Sequence, residues 1–186
     1  MATHLVEIVQ QNLGYPPLEK VDPVNHEPKS QPARGTEQAL AQAAIPTVLV
    51  ALFKLSQSEG GSHLILSGNE GKYWLSTLFG KKEHVAVDKV AQYAGFDAPE
   101  VAAPMERIAA EAVLAINKVI GDKKDEAAVK TFMGNHRHEI LVYLPASMQM
   151  GVLLNDNTLD DRTNKMEGPI SNFMHTIENK MSGKDT

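Results

Sequence analysis

The run "AAIPTVLVALF" (Ala43–Phe53) constrains this chain more than any other stretch. Read at 3.6 residues per turn, it belongs to a helix that is apolar almost all round. Such a helix needs other elements on every side of it. A second run, "IAAEAVLAINKV" (Ile108–Val119), has the same character. The chain must therefore wrap two buried helices, and a hydrophobic content of 42% over 186 residues is ample for that core. The first run is too short to span a bilayer and carries Pro46, so the expectation is a core helix and not a membrane span.

The punctuation around these runs is helical. Thr36 is placed to cap a helix reaching to about Ser56. Pro46 removes one backbone hydrogen bond to Gln42, which predicts a kink. The spacing predicts the second long helix from about Met105 to Ile120, stopped by Gly121. Asp97 followed by Glu100 has the form of a capping box, while Pro99 and Pro104 suit helix starts better than interiors. "HLILS" and "EILVYL" are short apolar runs in helical neighbourhoods, so neither reads as a strand. The expected fold class is all-α: a compact multihelical domain built from two similar helical halves plus a C-terminal helix.

The two halves come from internal matches. "VQQNLGY" (Val9–Tyr15) lies over "VAQYAGF" (Val90–Phe96) at an offset of 81 residues. "AIPTVLVALFKL" (Ala44–Leu55) lies over Ile108–Val119 at an offset of 64, and "GNEGKYWLSTL" (Gly68–Leu78) over "GNHRHEILVYL" (Gly134–Leu144) at 66. In the first pair, a glycine supplies the left-handed residue that ends a helix, and the following aromatic folds back on the valine. The change of offset from 81 to 64 puts 17 extra residues in the first half, within the proline-rich loop "DPVNHEPKSQPARG" (Asp22–Gly35). The domain reading is residues 1–155 as one helical unit, with pseudo-repeats at about 4–79 and 84–145. Residues 156–186 then form an acidic linker and an amphipathic C-terminal helix. In that tail Ile170, Phe173, Met174, Ile177 and Met181 share one helical face, a docking stripe for this domain or for a partner's groove.

Composition excludes several chemistries. There is no cysteine, which removes disulfides, thiolate catalysis and Cys-ligated metal centres. A net charge of −5 disfavours a broad phosphate-binding surface, and no basic–aromatic interleaving is present, so no nucleic acid is expected as a partner. The start "MATHLVEIVQQ" lacks a basic region followed by an apolar run, and the expected location is cytoplasmic. "SEGGS" and "SGNEGK" precede helices but lack the spacing of a phosphate loop. "GxSxG" is absent.

The most suggestive polar cluster is "NHRHE" (Asn135–Glu139), read as a helix start. His136 and Glu139, at i and i+3, share a helix face, and His84 with Asp88, at i and i+4, could supply a second pair for a metal. Neither "HExxH" nor a matched second "ExxH" accompanies them, so no metal or cofactor is assigned and these four residues stand as candidates only.

Three stretches carry a resemblance. "LAQAAIPTVLVALFKLSQSEGGSHLI" pairs an apolar Ile-Pro helix with a glycine-containing turn. "FGKKEHVAVDKVAQYAGFDAPEVAAPMERIAAEAVLAINKV" has a Phe-Gly turn, a helix ending in Gly-Phe and a long buried helix. "NHRHEILVYLPASMQMGVLL" runs into Leu-Pro and a short apolar helix. Over residues 4 to 155 the chain resembles the bacterial YidB-like family, a domain of unknown function. The resemblance implies an all-helical fold and offers no catalytic residues to carry over. The functional expectation is a non-enzymatic protein-binding or scaffolding module, with a protein partner or self-association. The alternative is a metal- or small-ligand-binding enzyme using the His/Glu/Asp cluster.

Overall fold

Helix α2 (Glu37–Gln57) is the axis around which the chain winds. The computed structural model describes residues 4–160, and over these the chain is all-α. The other helices are α1 (Leu5–Asn12), α3 (Gly61–Leu66), α4 (Trp74–Phe79), α5 (Glu83–Ala94), α6 (Ala98–Ile120), α7 (Glu126–Leu141) and α8 (Met150–Leu154). Each of them except α8 packs on α2 together with at least one further helix, and α8 also touches α2. Residues Ala39 to Leu52 of α2 are all buried, which is what an all-round apolar helix requires. By length and composition α2 would also suffice to cross a membrane, longer than the apolar run alone suggests. Here 83% of its apolar window is buried inside the protein.

The helix signals act largely as expected. The Thr36 hydroxyl accepts the Ala39 N–H at 3.2 Å. The Asp97/Glu100 capping box forms, with the Asp97 N–H donating to Glu100 Oε2 at 3.0 Å. Gly14 and Gly95 both take positive φ, +72° and +79°. The aromatic after each donates its N–H five residues back, Tyr15 to Gln10 O at 3.0 Å and Phe96 to Ala91 O at 3.1 Å. These two bonds are related by the same offset of 81 as the sequences. The short helices α1 and α5 are also placed alike, since each packs on both long helices, α2 and α6.

Three expectations differ from the structure. Helix α6 begins at Ala98, not Met105, and continues through Pro104. The carbonyl that Pro104 leaves unpaired belongs to Glu100, which is exposed, so water can take the place of the missing N–H. The third sequence match joins unlike places: Gly68 and Asn69 form a turn before α4, while Gly134 and Asn135 sit inside α7. Residues 156–160, read as linker, are packed. Leu159 is fully buried, and Asp160 folds back so that its carboxylate accepts the Gly151 and Val152 N–H groups at 2.9 and 3.1 Å. The C-terminal stripe Ile170–Met181 lies outside the described residues.

The proline-rich loop is a docked strap. Buried Gln42 of α2 fixes the segment that leads into it: Oε1 accepts the Glu19 N–H at 2.8 Å, while Nε2 donates to Glu19 O at 3.0 Å and to Tyr143 O at 2.8 Å. An isolated antiparallel bridge joins Val21 to Pro28, and the Val21 N–H donates to Val142 O at 2.8 Å. At its far end the Gly35 N–H donates to Ala94 O at 2.6 Å and Arg34 donates to Gln92 O at 3.1 Å. The strap thus closes over the exposed carbonyls at the end of α5.

Candidate functional site

The two candidate pairs fall in different places. His136 and Glu139 lie in the later turns of α7, not at a helix start, and their side chains are largely covered, 15% and 14% exposed. They face the beginning of α1. Residue 4, the N-cap of α1, offers no capping bond of its own, and a helix start leaves backbone N–H groups without intrahelical partners. Glu139 answers that deficit from α7: Oε1 accepts the Val6 N–H at 3.3 Å. Its Oε2 stands 3.3 Å from His4 Nδ1 and 3.9 Å from His136 Nε2, ion-pair distances without the alignment of a hydrogen bond. His136 Nδ1 hydrogen-bonds the Phe132 carbonyl at 2.8 Å, and its ring rests 4.2 Å from the Phe132 ring. The geometry is that of a carboxylate holding a helix end between two imidazoles.

His84 and Asp88 belong to α5 and open instead onto a shallow surface groove of about 470 Å³. It is lined by Val87 with Ala98, Pro99 and Ala102 from the start of α6, and by Lys81 and Glu83 beside His84 and Asp88. The four residues that the metal reading needs in one place are thus divided between the α1–α7 contact and the α5–α6 groove. Among the described residues no group of three or more His, Asp or Glu side chains is arranged to hold a metal ion.

The arrangement at Glu139 recurs. Helix α4 has no capping side chain at Tyr73, and Glu106 of α6 supplies both acceptors: Oε1 takes the Trp74 N–H at 2.7 Å and Oε2 the Leu75 N–H at 2.9 Å. Asp160 does the same for α8, whose preceding Gln149 makes no side-chain cap. Gly151 has no room for a Cβ there, because that atom would lie 2.3 Å from Asp160 Oδ2. Glu27 of the strap accepts the Ser147 N–H at 2.7 Å in the turn Ala146–Met148. Four carboxylates from outside the segments they cap therefore hold the starts of four short helical segments. A negative group at a helix N-terminus is favoured both by hydrogen bonding and by the helix dipole.

The cations have comparable duties. Lys54 pairs with Asp156 at 2.7 Å, and this hydrogen bond, with a second from Thr158, holds the Asp156 carboxyl below the usual carboxylate range. Lys82 donates to Leu153 O at 2.8 Å and Asn155 Oδ1 at 3.1 Å, and Arg137 to Thr158 O at 2.7 Å. In the glycine-rich turn, Lys72 folds back on Ser67 Oγ and on Gly68 O, and its ammonium lies 5.7 Å from the Trp74 ring centre. Beneath the strap, burial pushes the Tyr93 phenol up to about 12, with the Glu27 and Glu19 charges adding to the shift. The Tyr93 hydroxyl and Glu27 Oε2 are both buried without a hydrogen-bond partner among the described residues.

His4, Gln42, Lys82 and Glu106 have no local signature. Each acts on a segment far away in sequence, and only the missing cap residues before α1 and α4 hinted that acceptors must come from elsewhere. The chain matches no protein-family model, no curated protein and no solved structure.

Proposed function

We propose that this chain is a non-enzymatic protein-binding or scaffolding module of YidB-like type, cytoplasmic and bacterial, acting through a protein partner or through self-association. One observation carries the reading. Four carboxylates are turned onto backbone N–H groups of neighbouring segments, Glu106 and Asp160 through both oxygens and Glu27 and Glu139 through one each. A carboxylate committed in this way orients a helix, and using it on a substrate would release that helix end. The contact surfaces available to such a module are the Asp22–Gly35 strap, whose tip residue Val24 is 87% exposed, and the Ile170–Met181 stripe.

Affinity purification of the tagged full chain from its own host tests this. The expected result is a co-purifying protein at defined stoichiometry whose capture is lost on Val24→Asp or on Phe173→Asp. The opposing result is stoichiometric zinc, iron or manganese in the purified protein that disappears with His136→Ala or His84→Ala. That outcome would transfer the assignment to a metal-dependent activity.

A further inference from the structure

We propose that Gln149–Asp160 is a detachable clasp, and that the surface beneath it is the docking site for a protein partner's short apolar helical turn followed by carboxylates. The inference deepens the protein-binding reading and rests on it, adding the surface and the chemistry of the partner.

The segment is bonded to itself as a unit. The Asp156 N–H donates to Gly151 O at 2.8 Å and the Leu153 N–H to Gln149 O at 3.2 Å, while Asp160 closes back on the Gly151 and Val152 N–H groups. Asp156 Oδ1 accepts the Thr158 N–H and hydroxyl at 3.2 and 2.6 Å. Among the described residues, no backbone–backbone hydrogen bond ties Met150–Asp160 to the helices around it. The clasp can therefore lift without unpairing its own backbone. Gln149 and Asn155 flank α8 with left-handed φ, +49° and +54°, although neither is glycine. Such conformations are sparsely populated, and lifting the clasp lets them relax. A unit with its own bonds and few packing partners opens locally, below the free energy of global unfolding.

Side chains hold the clasp down. Met150, Leu153 and Leu159 are its buried apolar contacts. Around them stand four half-buried cations from four places in the fold: Lys54 of α2, Lys82 of the Gly80–Lys82 turn, Lys89 of α5 and Arg137 of α7. They reach Asp156 Oδ2, Leu153 O with Asn155 Oδ1, Gln149 Oε1 and Thr158 O, respectively. The clasp carries two carboxylates, Asp156 and Asp160, and no lysine or arginine. With the clasp lifted, the surface left behind is apolar within and positively charged at its edge. The clasp shows what fits there: Met150 and Leu153 at i and i+3, then Asp156. A partner helix that repeats this pattern gains the same burial and the same complementary charges. The closed clasp lowers the partner's apparent affinity in proportion to the fraction of chain that is open.

Two measurements on the isotope-labelled full chain test this. In native-state hydrogen exchange, the Leu153, Asp156 and Leu159 amides should exchange faster than those of α2 and α6, and with a weaker dependence on urea. An unlabelled peptide with the sequence of residues 149–160 is then titrated in trans. It should bind about tenfold more tightly to the Asp156→Asn chain, whose clasp has lost its charged bond to Lys54, than to the parent. Adding Lys54→Ala to that chain should weaken the peptide, as should Asp156→Lys in the peptide. Saturating peptide should remove the protection of the chain's own Leu153 and Asp156 amides. Clasp amides that exchange only with global unfolding would overturn the proposal. So would peptide binding that is absent from the Asp156→Asn chain, or that leaves the clasp amides protected. Such a failure beside retained capture of a host protein through Val24 strikes the clasp alone, whereas a metal-dependent activity strikes the reading it rests on.

Discussion

Replacing Glu106 by alanine isolates the device on which this fold depends most. The carboxylate holds the Trp74 and Leu75 N–H groups at 2.7 and 2.9 Å. Both of those residues are buried, 1% and 0% exposed, so solvent has poor access to the donors once the acceptor is gone. A hydrogen bond to a charged group contributes about 1.5–3 kcal/mol, and loss of a helix cap alone costs about 1. Two bonds that share one carboxylate are not independent, which places Glu106→Ala at about 3 kcal/mol. Glu106→Gln keeps one acceptor but turns an amide NH2 towards a donor, so it should fall between alanine and the parent. For a chain of this size 3 kcal/mol corresponds to a drop of roughly 6–12 °C in melting temperature. Urea unfolding followed by far-ultraviolet circular dichroism measures the free energy. Trp74, the single tryptophan, reports locally by fluorescence because its indole N–H is bonded to Asn69 Oδ1 at 2.7 Å. In the alanine variant the fluorescence transition should precede the dichroism transition, since α4 is the segment released. If Glu106→Ala stays within about 0.5 kcal/mol of the parent with coincident transitions, remote carboxylate capping is not what holds these helices.

Other outcomes follow from the same contacts. Gly95→Ala should cost clearly more than Gly14→Ala by urea unfolding: both have positive φ, but only at Gly95 would a Cβ meet Arg34 Cβ, at 2.7 Å, whereas nothing lies within 4 Å at Gly14. Equal costs would mean that the strap does not rest on the end of α5. Tyr93 has a raised folded-state pKa, so its contribution is complete below about pH 10, the unfolded value, and is lost as pH rises towards about 12. Tyr93→Phe should therefore flatten the alkaline limb of stability and remove the last of the four tyrosines to titrate in the ultraviolet spectrum. Asp156 is shifted the other way, so its contribution is present above about pH 4 and lost as pH falls through its depressed folded value. Asp156→Asn should remove that part of the acid limb, and an unchanged acid midpoint would contradict the Lys54 pairing.

How much of this was legible in the sequence depends on the range of each interaction. Thr36, the Asp97/Glu100 box and the Gly14 and Gly95 stops act within a turn or so of their own position, and the sequence displays them. The burial of α2 was readable because a helix apolar almost all round must be covered on every side, and its apolar run is short for a bilayer. Pro104 misled because a local rule for prolines ignores whether the released carbonyl can reach water, and at Glu100 it can. The pairing of Gly68 with Gly134 misled for a related reason: a glycine marks a turn only where positive φ is used, and Gly134 lies within α7. "NHRHE" looked like a separate site because His4, the residue that completes it, lies more than 130 positions away in the chain.

The distribution of acids leads to a final expectation. A chain with 23 acidic and 18 basic residues cannot pair every carboxylate with a cation. Here four carboxylates, Glu27, Glu106, Glu139 and Asp160, are turned onto the starts of helical segments, where backbone N–H groups take the place of lysine and arginine. These are contacts at 2.7–3.3 Å between a charge and a fixed dipole. Salt screens separated surface charges over a length of about 8 Å at physiological ionic strength, but acts weakly on partly buried groups in direct contact. The fold should therefore keep its urea midpoint, to within the change that salt itself imposes on hydrophobic burial, when sodium chloride is raised from about 0.15 to 1 M, where the Debye length falls to about 3 Å. A protein of the same charge held together by exposed ion pairs would lose stability over that range. A loss of more than about 1 kcal/mol would mean that the four carboxylates act as long-range charges and not as caps.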